Sequence, residues 1–173
     1  MTLDPTYFRD LYAACADPWG LAGRWYEARK YAVSTALLPR QRYGRAFEPG
    51  CSIGVLTAML APRCDALLAC DAVPDAVSSA RARTAGLPGV RVEQRAVPGQ
   101  WPPGSFDLIV LSELLYYFEP AWDSTPAARG CAASRAPDRS AGTGPRPWLS
   151  TCRPARERAA GASRACVSRC LGR

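Results

Sequence analysis

With 173 residues, 48% of them apolar, the chain has the length of one domain and enough apolar material for a core, which excludes a wholly disordered or fibrous polypeptide. A net charge of +7 would indicate a polyanionic partner if it were spread evenly. It is not: residues 1–120 hold 12 basic and 12 acidic side chains, while residues 121–173 hold 10 Arg against Asp123, Asp138 and Glu157. Met1 to Pro5 shows no basic region leading into an apolar run, and no stretch nears the ~18 apolar residues of a membrane span. A cytoplasmic protein without a membrane partner is therefore expected. In that compartment the eight cysteines are expected as free thiols, and none of their spacings, Cys64 with Cys70 or Cys166 with Cys170 included, forms a paired ligand set. No metal site is expected. The chain also has no histidine, which restricts its chemistry more than any residue it contains.

Taken in chain order, Asp4-Pro5 is a helix-start signal, and Phe8, Leu11, Tyr12 and Cys15 follow at helical spacing. They predict a first helix ending near Asp17-Pro18. A second helix is predicted from about Ala22 to Leu38, with Tyr26, Lys30, Val33 and Leu37 on one side and Trp25, Ala28, Ala32 and Ala36 on another; Pro39 stops it. Strands are then predicted at 45–48, 66–71, 90–94 and 106–111, with helices at 53–61 and 75–85 between the first three and a loop through Pro103 before the fourth. Strands alternating with helices of this length indicate βαβ units and a parallel sheet, hence an α/β fold.

After Pro120 the pattern stops. The 53 residues from Ala121 include 12 Ala and 10 Arg, no Ile and no Lys, with Leu149, Val167 and Leu171 as the large aliphatic residues. Such a segment buries too little apolar surface to offset the entropy of ordering it, so its expected state is disorder. Ala, Arg, Pro, Gly, Ser and Cys are also what GC-rich coding DNA yields out of frame. The composition favours a shifted or truncated C-terminus over a natural basic tail. Three regions are thus expected: a helical cover at 1–43, a partial ligand-binding domain at 44–120 and an Ala/Arg/Pro-rich tail at 121–173.

Ligands of parallel sheets sit at the carboxyl ends of the strands, where strand order reverses. The first βα turn, Glu48-Pro49-Gly50-Cys51-Ser52-Ile53-Gly54, has two glycines that permit a tight turn, and helix N–H groups face the same crevice. Asp71, ending the second strand 21 residues after Gly50, stands at the spacing of a carboxylate that binds ribose hydroxyls. A nicotinamide dinucleotide would prefer a middle glycine, which is absent. Gly50 to Gly54 also matches G-x-S-x-G, the nucleophile elbow of α/β-hydrolases, yet a serine triad needs an imidazole and the chain has none. A third reading has Glu48 contacting the methionine or ribose end of S-adenosyl-L-methionine, which carries no phosphate.

Ala46-Phe47-Glu48-Pro49-Gly50-Cys51-Ser52-Ile53-Gly54-Val55-Leu56-Thr57 resembles motif I of class I S-adenosylmethionine-dependent methyltransferases, in the form found in nodulation protein S type N-methyltransferases. Asp17-Pro18-Trp19-Gly20, Trp25 to Lys30 and Phe106 to Glu113 resemble blocks of the same subgroup, so the likeness covers roughly residues 6–119. It implies a Rossmann-like methyltransferase fold whose first four strands are legible, preceded by two N-terminal helices.

The resemblance also implies a site. The methionine moiety would lie near Glu48, Gly50, Cys51 and Gly54, the ribose on Asp71, and the adenine beside Ala72 and Val73. The loop at Ala96-Val97 would close over the adenine, with Val97 where many relatives carry an acid. Ser112, Glu113 and Tyr116 would border the methyl group and the acceptor, a small-molecule amine or amino sugar. Glu113 is the candidate proton acceptor, though it reads equally as a helix-start carboxylate. Asp71 reads alternatively as a cap for the turn before Pro74, and Trp19 and Tyr26 as packing aromatics rather than cofactor contacts. A different class of function remains beside the enzyme, a non-catalytic protein whose basic tail binds polyanions. Nucleic acid is not expected, since the tail lacks interleaved stacking aromatics beyond Trp122 and Trp148.

Overall fold

A computed structural model of the chain describes residues 5–117. Two helices lead, α1 (Pro5–Ala14) and α2 (Trp25–Ala36), followed by β1 (Tyr43–Pro49) and α3 (Val55–Leu60) with a short 3-10 turn (Ala61–Arg63). Then come β2 (Cys64–Asp71), α4 (Pro74–Arg83), β3 (Val90–Gln94) and β4 (Leu108–Ile109). Every strand pairing is parallel and the order is β3-β2-β1-β4. Strands β1 to β3 step outward in one direction and β4 returns to the other side of β1, so strand order reverses between β1 and β4. This opens a crevice at their carboxyl ends.

β1 is the centre of the sheet and is buried on both faces from Ala46 to Pro49. Alternation sends Ala46 into a cluster with Leu56, Leu60 and Leu67, and Phe47 to the opposite face against Cys70 and Phe106. Gly54 begins α3 at φ +78°, and a Cβ there would stand 2.9 Å from Ala80 Cα, so close packing of α3 on α4 requires glycine.

Three details differ from the sequence-based expectation. β4 is shorter than 106–111; at its N-terminal end the Asp107 carboxylate, rather than a backbone carbonyl, accepts the Gly44 and Arg45 amides, at 2.9 and 2.8 Å. On α2 the expected apolar rows point outward: Trp25, Val33 and Leu37 are exposed, whereas Glu27, Tyr31 and the following Leu38 are buried. Neither row lies under the core because the helix turns its mixed Glu27/Tyr31 face to the sheet. Cys51, Cys64 and Cys70 are free thiols as expected, but Cys15 is disulfide-bonded. The readings for residues 118–173 lie outside the described residues, as does the Tyr116 side chain. No helix of the described residues is long and apolar enough to cross a membrane.

Candidate functional site

Glu48 sits at the carboxyl end of β1, 2% exposed, on the face that carries Ala46. Burial pushes its carboxyl up to about 8, and the nearby Asp71 carboxylate adds to this. The neighbouring Thr57 hydroxyl acts in the other direction, yet Glu48 Oε2 and Thr57 Oγ1 both lack a partner in hydrogen-bond geometry. A buried carboxyl oxygen without a donor is costly in a folded chain. A donor from a ligand would satisfy it.

The loop after β1 is shaped by three residues in the left-handed region, Gly50 (φ +71°), Ser52 (φ +51°) and Gly54 (φ +78°). A Cβ on Gly50 would stand 2.9 Å from Leu114 Cδ1, so the loop passes close beneath the chain leaving β4. Cys51 donates its amide to the Cys70 carbonyl at 2.9 Å, continuing the β1–β2 contact past the strand end. Burial raises the Cys51 thiol well above its ordinary value, so it is no nucleophile. Asp71 knits the two crevice loops together: Oδ2 accepts the Ser52 amide at 2.9 Å and Oδ1 the Val73 amide at 3.0 Å. Burial raises its carboxyl, against the pull of the Val73, Ser52 and Ala72 amides. A carboxylate has about four acceptor sites. The Ser52 and Val73 amides take two and the Ala72 amide draws on a third, which leaves acceptor capacity, so turn capping and ligand binding are compatible roles for the same side chain.

The two N-terminal helices close the crevice from above. Tyr12 of α1 is buried, hydrogen-bonds the Ser52 hydroxyl and meets Trp19 edge-on at 5.4 Å between centroids. Its neighbours Ile53 and Val73 belong one to each crevice loop. Asp17 accepts the Leu21 and Ala22 amides at 2.7 and 2.9 Å and so fixes the turn that carries Trp19. From α2, Lys30 is clamped between Glu27, at 2.5 Å, and Glu113, at 3.3 Å, with its ammonium 4.9 Å from the Tyr31 ring centroid and 5.9 Å from that of Tyr26. Glu113 follows β4 with φ +56°, a conformation uncommon for glutamate. Burial first, then Glu27, Glu48, Glu113 and Asp17, keep the Tyr31 phenol neutral. Acidic side chains thus gather at this end of the sheet, and Lys30 lies among them.

Other sequence candidates fall at varied distances from this cluster. Ala72 is exposed, Val73 is buried, and Ser112 lines a small pocket with Ser34, Leu56 and Val110. The Ala96 amide is taken by Gln100 Oε1 at 2.8 Å, and Val97 packs against the cluster of Phe47, Cys70 and Phe106. Tyr26 is 41% exposed and Trp19 partly buried. Tyr12, Glu27, Lys30 and Thr57 were not legible as site residues from spacing. Only Lys30, the single lysine of the chain, carried a signal in its rarity. The hydrolase reading ends here in physical terms, since the Ser52 hydroxyl is engaged by Tyr12 and the chain has no histidine.

The family model described as nodulation protein S (NodS) matches residues 7–144. The chain belongs to the nodulation protein S family. It is 32% identical to nodulation protein S of Bradyrhizobium diazoefficiens over 126 residues, which are 72% of this chain and 60% of that protein. Among solved structures it is 31% identical to the N-methyltransferase NodS of Bradyrhizobium japonicum WM9 in complex with S-adenosyl-L-homocysteine, with a TM-score of 0.60 and coverage of 67% and 60% of the two chains. A protein from Pseudomonas syringae, assigned to the methyltransferases, is 50% identical with a TM-score of 0.55, covering 64% of this chain and 69% of its own. The four-stranded parallel sheet with its helices is therefore the first part of the Rossmann-like methyltransferase fold. The chain spans 60% of the Bradyrhizobium diazoefficiens protein and 44% of its Rhizobium tropici counterpart, so it corresponds to part of those proteins.

Proposed function

We propose that the chain is the cofactor-binding part of an S-adenosylmethionine-dependent N-methyltransferase that acts in the cytoplasm on an amine of a small molecule, with an amino sugar as the acceptor class. The observation that carries this is the crevice between β1 and β4, where Glu48 has an unpartnered buried carboxyl oxygen and Asp71 retains acceptor capacity. Those two groups fit a ligand that offers an ammonium and a pair of ribose hydroxyls and no phosphate.

In this reading Glu48, Gly50, Cys51 and Gly54 border the methionine end, and Asp71 accepts from the ribose. Ala72, Val73, Ala96 and Val97 surround the adenine, with Trp19 and Tyr26 as walls of the cover. S-adenosylmethionine, when bound, supplies a methyl group on a sulfonium that an amine attacks in line. The chain's contribution is then to orient the amine, exclude water and remove a proton. A lysine-like amine is protonated at neutral pH and must become neutral to attack. Glu113, held by Lys30 at the end of β4, is the proton acceptor. Ser112 precedes it directly in the chain, and Tyr116 is the second residue assigned to the acceptor side.

Glu113→Gln tests this assignment. Turnover of S-adenosylmethionine with glucosamine as acceptor is expected to fall about a hundredfold or more, on the scale of general-base catalysis, while calorimetric affinity for S-adenosylhomocysteine stays unchanged. Unchanged turnover removes Glu113 from the role.

A further inference from the structure

We propose that Tyr12 and Ser52 are a positioning pair for Asp71: the phenol of the cover helix α1 holds the Ser52 hydroxyl, and the Ser52 amide in turn fixes one Asp71 oxygen in the crevice. The inference rests on the cofactor reading above and goes beyond it by giving the N-terminal helix a part in ligand affinity.

Ser52 stands at φ +51°, between glycines at +71° and +78°. Glycine would hold that backbone without steric cost, so a serine there needs a return from its side chain. The return is the bond to Tyr12, whose ring is 6% exposed and whose hydroxyl needs a partner at that depth. Burial, then the Asp71 carboxylate, hold the phenol far above its ordinary range, so it remains a neutral hydroxyl.

The two amides on Asp71 differ in origin. Val73 is two residues away and belongs to the same turn, whereas Ser52 reaches Asp71 across 19 residues from the other crevice loop. Only the second contact comes from a residue hydrogen-bonded to α1. Tyr12 also belongs to one packed cluster with Ile53 and Val73, one residue from each loop, so α1 packs with both loops at once. Docking of α1 and the setting of Asp71 are therefore one event, and by reciprocity a ligand that engages Asp71 tightens α1.

The test uses the full 173-residue chain as wild type, Tyr12→Phe, Ser52→Ala and the double variant. S-adenosylhomocysteine is titrated calorimetrically, and amide hydrogen exchange is followed at Ser52 and Val73. Each single variant is expected to weaken binding at least about fivefold, roughly the scale of one hydrogen bond, with the double variant no weaker than the worse single. Exchange is expected to rise at Ser52 and to stay slow at Val73. Single variants within twofold of wild type, or losses that multiply in the double, overturn the pairing. Tyr12→Phe keeps the packed ring, so it decides the matter if Ser52→Ala fails to fold. If wild type gives no heat, the cofactor reading has failed on its own, and the pair then stands or falls on exchange: an unchanged Ser52 amide in Tyr12→Phe overturns it.

Discussion

Glu48 is one residue through which pH acts on the stability of this chain. Its carboxyl titrates near 8 when folded, because of burial, against an ordinary value of 4.5. Between those limits the folded chain holds a proton that the unfolded chain has released, so raising the pH favours unfolding, by about 1.4 kcal/mol per pH unit. The stability is fully present below about 4.5 and is lost as pH rises through 8. Asp71, also raised by burial, contributes in the same direction. Urea unfolding is expected to give a lower stability at pH 7.5 than at pH 5.5, and Glu48→Gln is expected to reduce that difference. An unaltered difference would show that Glu48 is not the group responsible. Asp71→Ala strips the acceptor from the Ser52 and Val73 amides, and each amide left without a partner costs about 1–3 kcal/mol. A lower midpoint of unfolding and at least about tenfold weaker S-adenosylhomocysteine binding are expected together. At this scale backbone spacing was enough to place Gly50, Gly54 and Asp71 in the two loops at the carboxyl ends of β1 and β2. It did not show contacts between distant segments, and so neither the Tyr12–Ser52 bond nor the Lys30 clamp was legible.

Among the elements, β1 to β3 and α3 to α4 follow directly from the pattern of the chain, since alternation of strand and helix is set by local periodicity and by Gly and Pro. The first part of the fold was legible for that reason. α2 was not, because its buried face carries Glu27 and Tyr31 while Val33 and Leu37 stay exposed, and periodicity read from apolar residues alone chooses the wrong side. The consequence is measurable at its C-terminal end. Leu38, 7% exposed and packed in the main core, is expected to cost about 2–5 kcal/mol when changed to Ala. Leu37, 57% exposed, should cost about 0.5 kcal/mol or less. Equal losses by urea unfolding would contradict the orientation of α2. Gly54→Ala is a sharper probe of helix packing, since it combines a left-handed backbone with a Cβ 2.9 Å from Ala80 Cα. It is expected to destabilise by more than about 2 kcal/mol, with the loss divided between strain and displacement of α4.

For the whole molecule, the deciding feature is the reversal of strand order between β1 and β4, which brings Glu48, Asp71 and Glu113 to one end of one sheet. The parallel sheet was expected from the sequence, and the resemblance implied its methyltransferase form. The strand order itself was not legible, because pairing between strands distant in the chain leaves no local trace. Membership of the nodulation protein S family agrees with the resemblance carried by residues 46–57. The central claim is the proposal that this crevice binds the nucleoside cofactor. A cationic ligand beside Glu48 would favour its ionised form, so binding near pH 7 should release a proton. Calorimetric titration of the full chain with S-adenosylhomocysteine, in two buffers of different ionisation enthalpy, tests this directly. Saturable heat whose magnitude changes with the buffer is the expected result, and a folded chain that gives no heat in either buffer would contradict the account.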